Sequence, residues 1–195
     1  LDLGCGYGEF SFSLARYYAH AEIHALDIDS ERVQTVREVK RKEGTKNVQI
    51  HNDYVENIEE SHFDFIFSID VFEHIEEDKM PFKEVHQKLK PGALFVVKIP
   101  NKIQKTILPE SWFEEHQEWL DDEHPGQIYD LQSLTERVMK EGFEILSAAN
   151  TDGIVSRFAW EITYMAKKAG TIFHLATLPI AKFLIGLDRI IHGKD

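Results

Sequence analysis

The stretch Asp2-Leu3-Gly4-Cys5-Gly6-Tyr7-Gly8, running straight into Glu9 to His20, decides how the chain folds. Leu1 to Leu3 reads as the end of a buried strand and the three glycines as a turn. Phe10, Leu14 and Tyr17 or Tyr18 fall at helical spacing and predict a helix with that face inward. Glycines here let the backbone approach a ligand closely and adopt φ values closed to other residues. The helix that follows offers free N–H groups and a positive dipole end to a carboxylate or phosphate.

Working outward, Ile23 to Leu26 reads as a second strand and Val48 to His51 as a third. Phe63 to Ile69, almost wholly apolar, reads as a fourth. Between the second and third, Val33, Val36 and Val39 mark the inner face of a helix capped by Asp29 or Ser30 and stopped at Gly44. Pro81 to Lys90 is expected to be helical, with a turn at Pro91-Gly92 and a fifth strand over Ala93 to Ile99. Leu131 to Lys140 predicts a further helix, ended by Gly142, and Phe143 to Ala148 a sixth strand. This alternation implies an α/β fold: a doubly wound, mainly parallel, Rossmann-like sheet with helices on both faces. Ligands of such sheets lie beyond the carboxyl ends of the strands, where strand order reverses. The glycine turn, Asp27, Asp53 and Asp70 all fall at predicted carboxyl ends, so four loops are expected to meet in one crevice.

Composition narrows the classes of partner. With 34 acidic and 22 basic residues the formal charge is −12. That balance opposes the positive field that nucleic-acid binding needs, and no nucleic-acid partner is expected. Cys5 is the only cysteine. No internal disulfide is therefore possible, and with no signal segment visible the expected location is cytoplasmic. The chain opens on Leu1 inside an apolar run, which reads as a fragment of a longer protein.

Asp27 follows the second strand about 20 residues after the glycine turn, where a carboxylate accepts ribose hydroxyls. The competing reading is a helix cap, which we give to Asp29 or Ser30. Asp53, after the third strand, is placed to accept a bond from an adenine amino group. A dinucleotide fingerprint would want glycine or alanine at position 9, and the chain has Glu9, a poor neighbour for a pyrophosphate. A nicotinamide-dependent oxidoreductase is disfavoured on that ground.

Taken in order, five motifs resemble class I S-adenosylmethionine-dependent methyltransferases, the type 11-like branch. They are the glycine turn, Ala25-Leu26-Asp27-Ile28-Asp29, Asn52-Asp53, Phe63 to Ser68 with Phe72-Glu73-His74, and Leu89-Lys90-Pro91-Gly92. The resemblance covers residues 1 to 149. It implies S-adenosyl-L-methionine as the cofactor, released as S-adenosyl-L-homocysteine. It further implies that Gly4, Cys5, Gly6 and Gly8 hold the methionine moiety, with Asp2 near its amino group. By the same resemblance Asp27 binds the ribose, Ile28 packs on adenine, Asp53 with Tyr54 meets the adenine edge, and Ser68 and Asp70 line the methionine side. A non-catalytic module that only binds the cofactor is the alternative, because these motifs speak to binding more than to catalysis.

Methyl transfer needs the acceptor held in line and water excluded, and a base only for a protonated oxygen or nitrogen. His74 is the candidate base; Glu73 and His74 as a structural cap is the equal alternative. His116, His124 and Tyr129 are weaker candidates. Asp70-Val71-Phe72-Glu73-His74 also resembles the metal-binding element of ubiquinone-pathway O-methyltransferases, which makes Asp70, Glu73 and His74 an alternative ligand set, although no metal is expected. The expected acceptor is a small or lipid-linked molecule, methylated at oxygen.

We expect residues 1–149 to form the core, with a lid-like insertion over 101–128 that contains Trp112, Phe113 and Trp119. Residues 150–195 read as an apolar helical extension packing on the core or on a partner, with a homodimer through these helices as one outcome. Lys182, Asp188 and Arg189 interrupt the apolar run, which opposes a membrane span and leaves a membrane-surface contact as a lesser option. The resemblance further implies a terminal antiparallel strand, expected to begin at Gly193-Lys194-Asp195 unless Glu161 to Ala166 supplies it.

Overall fold

In the computed structural model, which describes residues 1–102, 105–151 and 153–192, five strands form one sheet. They are β1 (Asp2–Leu3), β2 (Ile23–Leu26), β3 (Val48–His51), β4 (Phe63–Ile69) and β5 (Leu89–Lys98), in the order β3-β2-β1-β4-β5. Every pairing is parallel, with Asp2 opposite both Ala25 and Phe67, Leu26 opposite His51, and Ile69 opposite Lys98. All five carboxyl ends therefore face one edge. The order reverses at β1, which has β2 on one side and β4 on the other, so the loops after β1 and β4 diverge there and open the crevice.

Helices α1 (Glu9–Tyr17), α2 (Ser30–Glu43) and α3 (Phe82–Lys88) connect successive strands. Cys5, Phe12, Ala15, Ala25, Val36 and Val48 form one buried cluster under α1 and α2. Asp29 caps α2 by accepting the Glu31 and Arg32 N–H groups, and Gly44 closes it at φ 67°. Two expectations for α1 fail. The helix ends at Tyr17, and its buried side chains are Ser11, Phe12 and Ala15, while Phe10 and Tyr17 are exposed. The reason lies in Asp2: its buried carboxylate needs the Ser11 hydroxyl, and that turns the helix about its axis.

The Pro91-Gly92 turn is absorbed into β5 as an irregularity in register, with Gly92 at φ 77°. The sixth strand is not found. Phe143 packs against His86 and Phe95, but residues 143–148 pair with no strand and Leu146 is exposed. Without a ladder partner an alternating apolar pattern does not make a strand.

Two compact units emerge, residues 1–102 with 123–144, and residues 103–122 with 145–195. Most of the insertion thus belongs with the C-terminal helices. It is not a bare loop either, since it contains α4 (Glu114–Glu123); its Ile103 and Gln104 lie outside the described residues. α5 (Leu131–Lys140) completes the first unit, and α6 (Ile154–Ala169) and α7 (Thr171–His192) make up most of the second. Glu161 to Ala166 is helical and supplies no strand; the strand expected from Gly193 lies outside the described residues. α7 runs through Pro179, and its window Thr171–Asp188 is long and apolar enough to cross a membrane by length and composition, with 11% of it buried.

Within the second unit Phe113 is buried and packs its ring on Trp160 and Tyr164, and His116 stacks on Trp119 and Trp160. Those aromatic contacts tie the insertion to α6. Two carboxylates do the same for backbone. Glu161, fully buried, accepts the Ile107 and Leu108 N–H groups at 2.7 and 2.8 Å. Asp188 of α7 takes the Gly153 N–H and the Ser156 hydroxyl, and so caps the N-terminus of α6.

Candidate functional site

The glycine turn is built by backbone bonds to the neighbouring strand. Gly4 and Cys5 both donate to the Leu26 carbonyl, at 2.8 and 2.9 Å, and the Gly8 N–H donates to the Cys5 carbonyl. Gly4, Gly6 and Gly8 have φ of 79°, 53° and 79°, in the left-handed region that side chains with a Cβ rarely occupy. Two of them are glycine for a second reason. A Cβ on Gly4 would sit 2.4 Å from Val71, and one on Gly8 would press on Phe12 at 3.0 Å. Gly6 differs: nothing lies within 4 Å of the place its Cβ would take. The bare side of Gly6 is therefore open, and its N–H points the other way, to Asp27 Oδ2 at 2.8 Å.

Asp27 is 7% exposed and binds two loops together, accepting Gly6 N–H on one oxygen and Asp29 N–H on the other at 2.9 Å. An ionised carboxylate has about four acceptor positions, so roughly two are left for a pair of hydroxyls. Asn52 closes the third loop by donating to the carbonyls of Asp27 and Ile28, both at 3.0 Å. Ile28 is 62% exposed and presents an apolar side chain at the crevice edge. Asp53 is exposed, and its Oδ1 takes the Tyr54 N–H and the Asn57 amide, each at 2.7 Å; the Asn57 bond holds the carboxyl below the usual range. Tyr54 is exposed beside it.

Asp2 is buried on β1, and loss of water pushes its carboxyl up to about 6, against the pull of the Ser11 hydroxyl at 2.6 Å. Ser68 is also buried, with its hydroxyl donating to the Leu3 carbonyl at 2.9 Å; it braces β4 against β1. Cys5 turns its side chain into the core, where burial pushes the thiol up to about 12, so only its backbone borders the turn. Asp70, at φ 55°, is exposed and forms an ion pair with Lys98 at 2.9 Å.

Among the expected residues, then, Gly6, Asp27, Ile28 and Asp53 stand on loops directly bonded to one another, and Asp2, Gly4 and Ser68 lie at the base of β1 and β4. The structural contacts of Ser11 with Asp2 and of Val71 with Gly4 had no signal in spacing, and Asn52, part of a quoted motif, gave no sign of its bonds to the Asp27 and Ile28 carbonyls.

After β4 a short 3₁₀ turn holds Phe72, Glu73 and His74. Phe72 and Glu73 are fully buried and His74 is exposed. His74 Nδ1 lies 2.9 Å from the Glu123 carbonyl, and its ring meets that of His124 edge-on at 4.6 Å. Asp70 does not join Glu73 and His74; His124 takes that place. Tyr129, a further base candidate, is buried with its hydroxyl toward Glu77, and burial raises it. His116 lies in the aromatic cluster of the second unit.

A family model described as a methyltransferase domain matches residues 1–176. Malonyl-[acyl-carrier protein] O-methyltransferase 2 of Ilyobacter polytropus is 28% identical over 156 residues, which is 76% of this chain and 55% of that protein. (S)-Coclaurine N-methyltransferase of Thalictrum flavum subsp. glaucum is 26% identical over 122 residues, 60% of this chain and 34% of that protein. The solved structure of Haemonchus contortus phosphoethanolamine N-methyltransferase 2 in complex with S-adenosyl-L-methionine shares the fold: TM-score 0.66, 21% identity, 97% of this chain and 44% of that one. The chain thus spans about a third to a half of the length of these curated relatives.

Proposed function

Because this chain belongs to the methyltransferase domain family, we propose that it binds S-adenosyl-L-methionine at the carboxyl ends of β1 to β4 and methylates an oxygen of a small or lipid-linked acceptor. The observation behind this is the open Cα face of Gly6 beside a carboxylate whose two oxygens are already fixed by backbone N–H groups. An Asp27 held in this way needs no rearrangement to receive two ribose hydroxyls, and preorganisation of that kind raises affinity.

The remaining residues take the roles that the family resemblance implies, and their chemistry suits them. Ile28 offers apolar surface to a purine ring, and Asp53 accepts from its amino group. Asp2 sits at the base of the turn, where an ammonium group would draw its carboxyl back to the ionised form. Ser68 braces the floor and Asp70 lines the methionine side. The cofactor brings a methyl already activated on a cationic sulfur. What the chain must add is orientation, worth roughly 7–11 kcal/mol, and, for an acceptor that carries a proton, a route for that proton. For that proton we assign His74. Its Nδ1 faces a carbonyl, which can only accept, so the hydrogen is on Nδ1 and Nε2 has the lone pair.

Titration with S-adenosyl-L-homocysteine, followed by turnover with malonyl-acyl carrier protein and phosphoethanolamine, tests this reading. Methyl ester formation is expected with an oxygen acceptor. Binding without transfer to either would favour a cofactor-binding module, and NADH binding in place of S-adenosyl-L-homocysteine would overturn the site.

A further inference from the structure

Glu73 Oε2 is buried, with Glu73 2% exposed, and has no hydrogen-bond partner. Such an oxygen costs about 1–3 kcal/mol unless something meets it. Two imidazoles stand beside it: one ligand atom from each of Glu73, His74 and His124 lies within 4.8 Å of the other two. From these residues we infer a binding site for a divalent transition-metal ion of the zinc class, with Glu73, His74 and His124 as ligands.

Tautomers support it. The Glu123 carbonyl accepts from His74 Nδ1, which leaves the lone pair on Nε2. His124 is set in the same way. Gln127 donates its amide nitrogen to the Asn101 carbonyl at 2.9 Å, so its oxygen is the atom 2.8 Å from His124 Nδ1, and that nitrogen bears the hydrogen. Each histidine thus has its second nitrogen tied to an acceptor, as metal-ligating histidines do. Two neutral imidazoles and one carboxylate suit zinc, cobalt or iron(II), with positions left for water or another ligand. Ligand atoms at about 2.1 Å around a tetrahedral ion lie roughly 3.4 Å apart, so binding draws the trio together by up to about 1.4 Å through side-chain rotation. Asp70, a member of the alternative ligand set, is instead paired with Lys98. Coordination takes up the Nε2 lone pair of His74, so the metal and base roles of that residue exclude each other at any one time. Binding of an ion here does not depend on which acceptor the chain methylates.

Cobalt(II) titrated into the whole chain, followed by its visible d–d absorbance and by calorimetry, tests the site. We expect one equivalent to bind, to be displaced by zinc, and to leave the affinity for S-adenosyl-L-homocysteine in place. His124→Ala and Glu73→Gln are each expected to weaken cobalt binding roughly tenfold or more. His51→Ala, which removes a histidine from the other His-Glu group of the described residues (His24, His51 and Glu60), is expected to leave it unchanged. The same cobalt affinity in wild type and His124→Ala, or loss of binding in His51→Ala, overturns the assignment. Should Glu73→Gln fail to fold, the partly exposed His124 decides alone.

Discussion

The glycine crevice and the C-terminal helices both rest on buried carboxylates that accept backbone N–H groups, yet only the first was legible in advance. Asp27 ends a strand whose period and apolar character announce it, and its partners Gly6 and Asp29 lie in turns flanking that strand and its predecessor. Glu161 and Asp188 sit inside helices, where a polar residue ordinarily reads as solvent-facing, and they reach Ile107, Leu108 and Gly153 across long stretches of chain. A strand end fixes where its next residue goes; a helix face does not say what will pack on it. Carboxylates of the same kind thus join the loops of the crevice in one region and hold helices and backbone in the other.

That contrast breaks most sharply at Asp27. Asp27→Ala removes a charged acceptor from two ribose hydroxyls, each bond worth about 1.5–3 kcal/mol, so S-adenosyl-L-homocysteine affinity should fall ~100-fold or more by calorimetry. The far-ultraviolet dichroism should stay native; affinity within threefold of wild type would remove Asp27 from the site. Glu161→Ala should behave in the opposite sense, costing about 3 kcal/mol of stability in urea because two amides lose their acceptor. An unchanged urea midpoint would show that water replaces the carboxylate.

Asp2 sharpens the comparison through pH. Its folded carboxyl, at about 6, lies above the unfolded value near 3.9, so the folded chain holds the proton more tightly. Stability from that preference is full below about pH 4 and is lost as pH rises through about 6. Asp2→Asn should therefore match wild type near pH 4 and exceed it by about 3 kcal/mol near pH 8 in urea. A gap that does not vary with pH would assign the effect to packing. The smallest change is expected at Asp188→Ala, about 1–2 kcal/mol for a lost helix cap, with cofactor affinity untouched. A loss above about 4 kcal/mol would mean that the cap holds the whole second unit.

Several errors share one origin. α1 was oriented by its aromatic residues, but Ser11 had to face Asp2, and satisfying a buried carboxylate outweighed hiding Phe10. Phe143 to Ala148 has strand composition without a strand beside it. Asp70, set beside Glu73 and His74 as an alternative ligand set by a resemblance, is paired with Lys98, which the β4–β5 register brings opposite. In each case a long-range partner decided.

The sequence by itself determined the strand pattern, the left-handed glycine turn and the carboxylates at strand ends, because backbone sterics and apolar period act over a few residues. Tertiary structure alone decided which groups meet. Val71 forbids a Cβ at Gly4, Asn52 closes on Asp27, and His124 arrives beside Glu73. Those contacts join residues far apart in the chain, where no local preference can specify the partner.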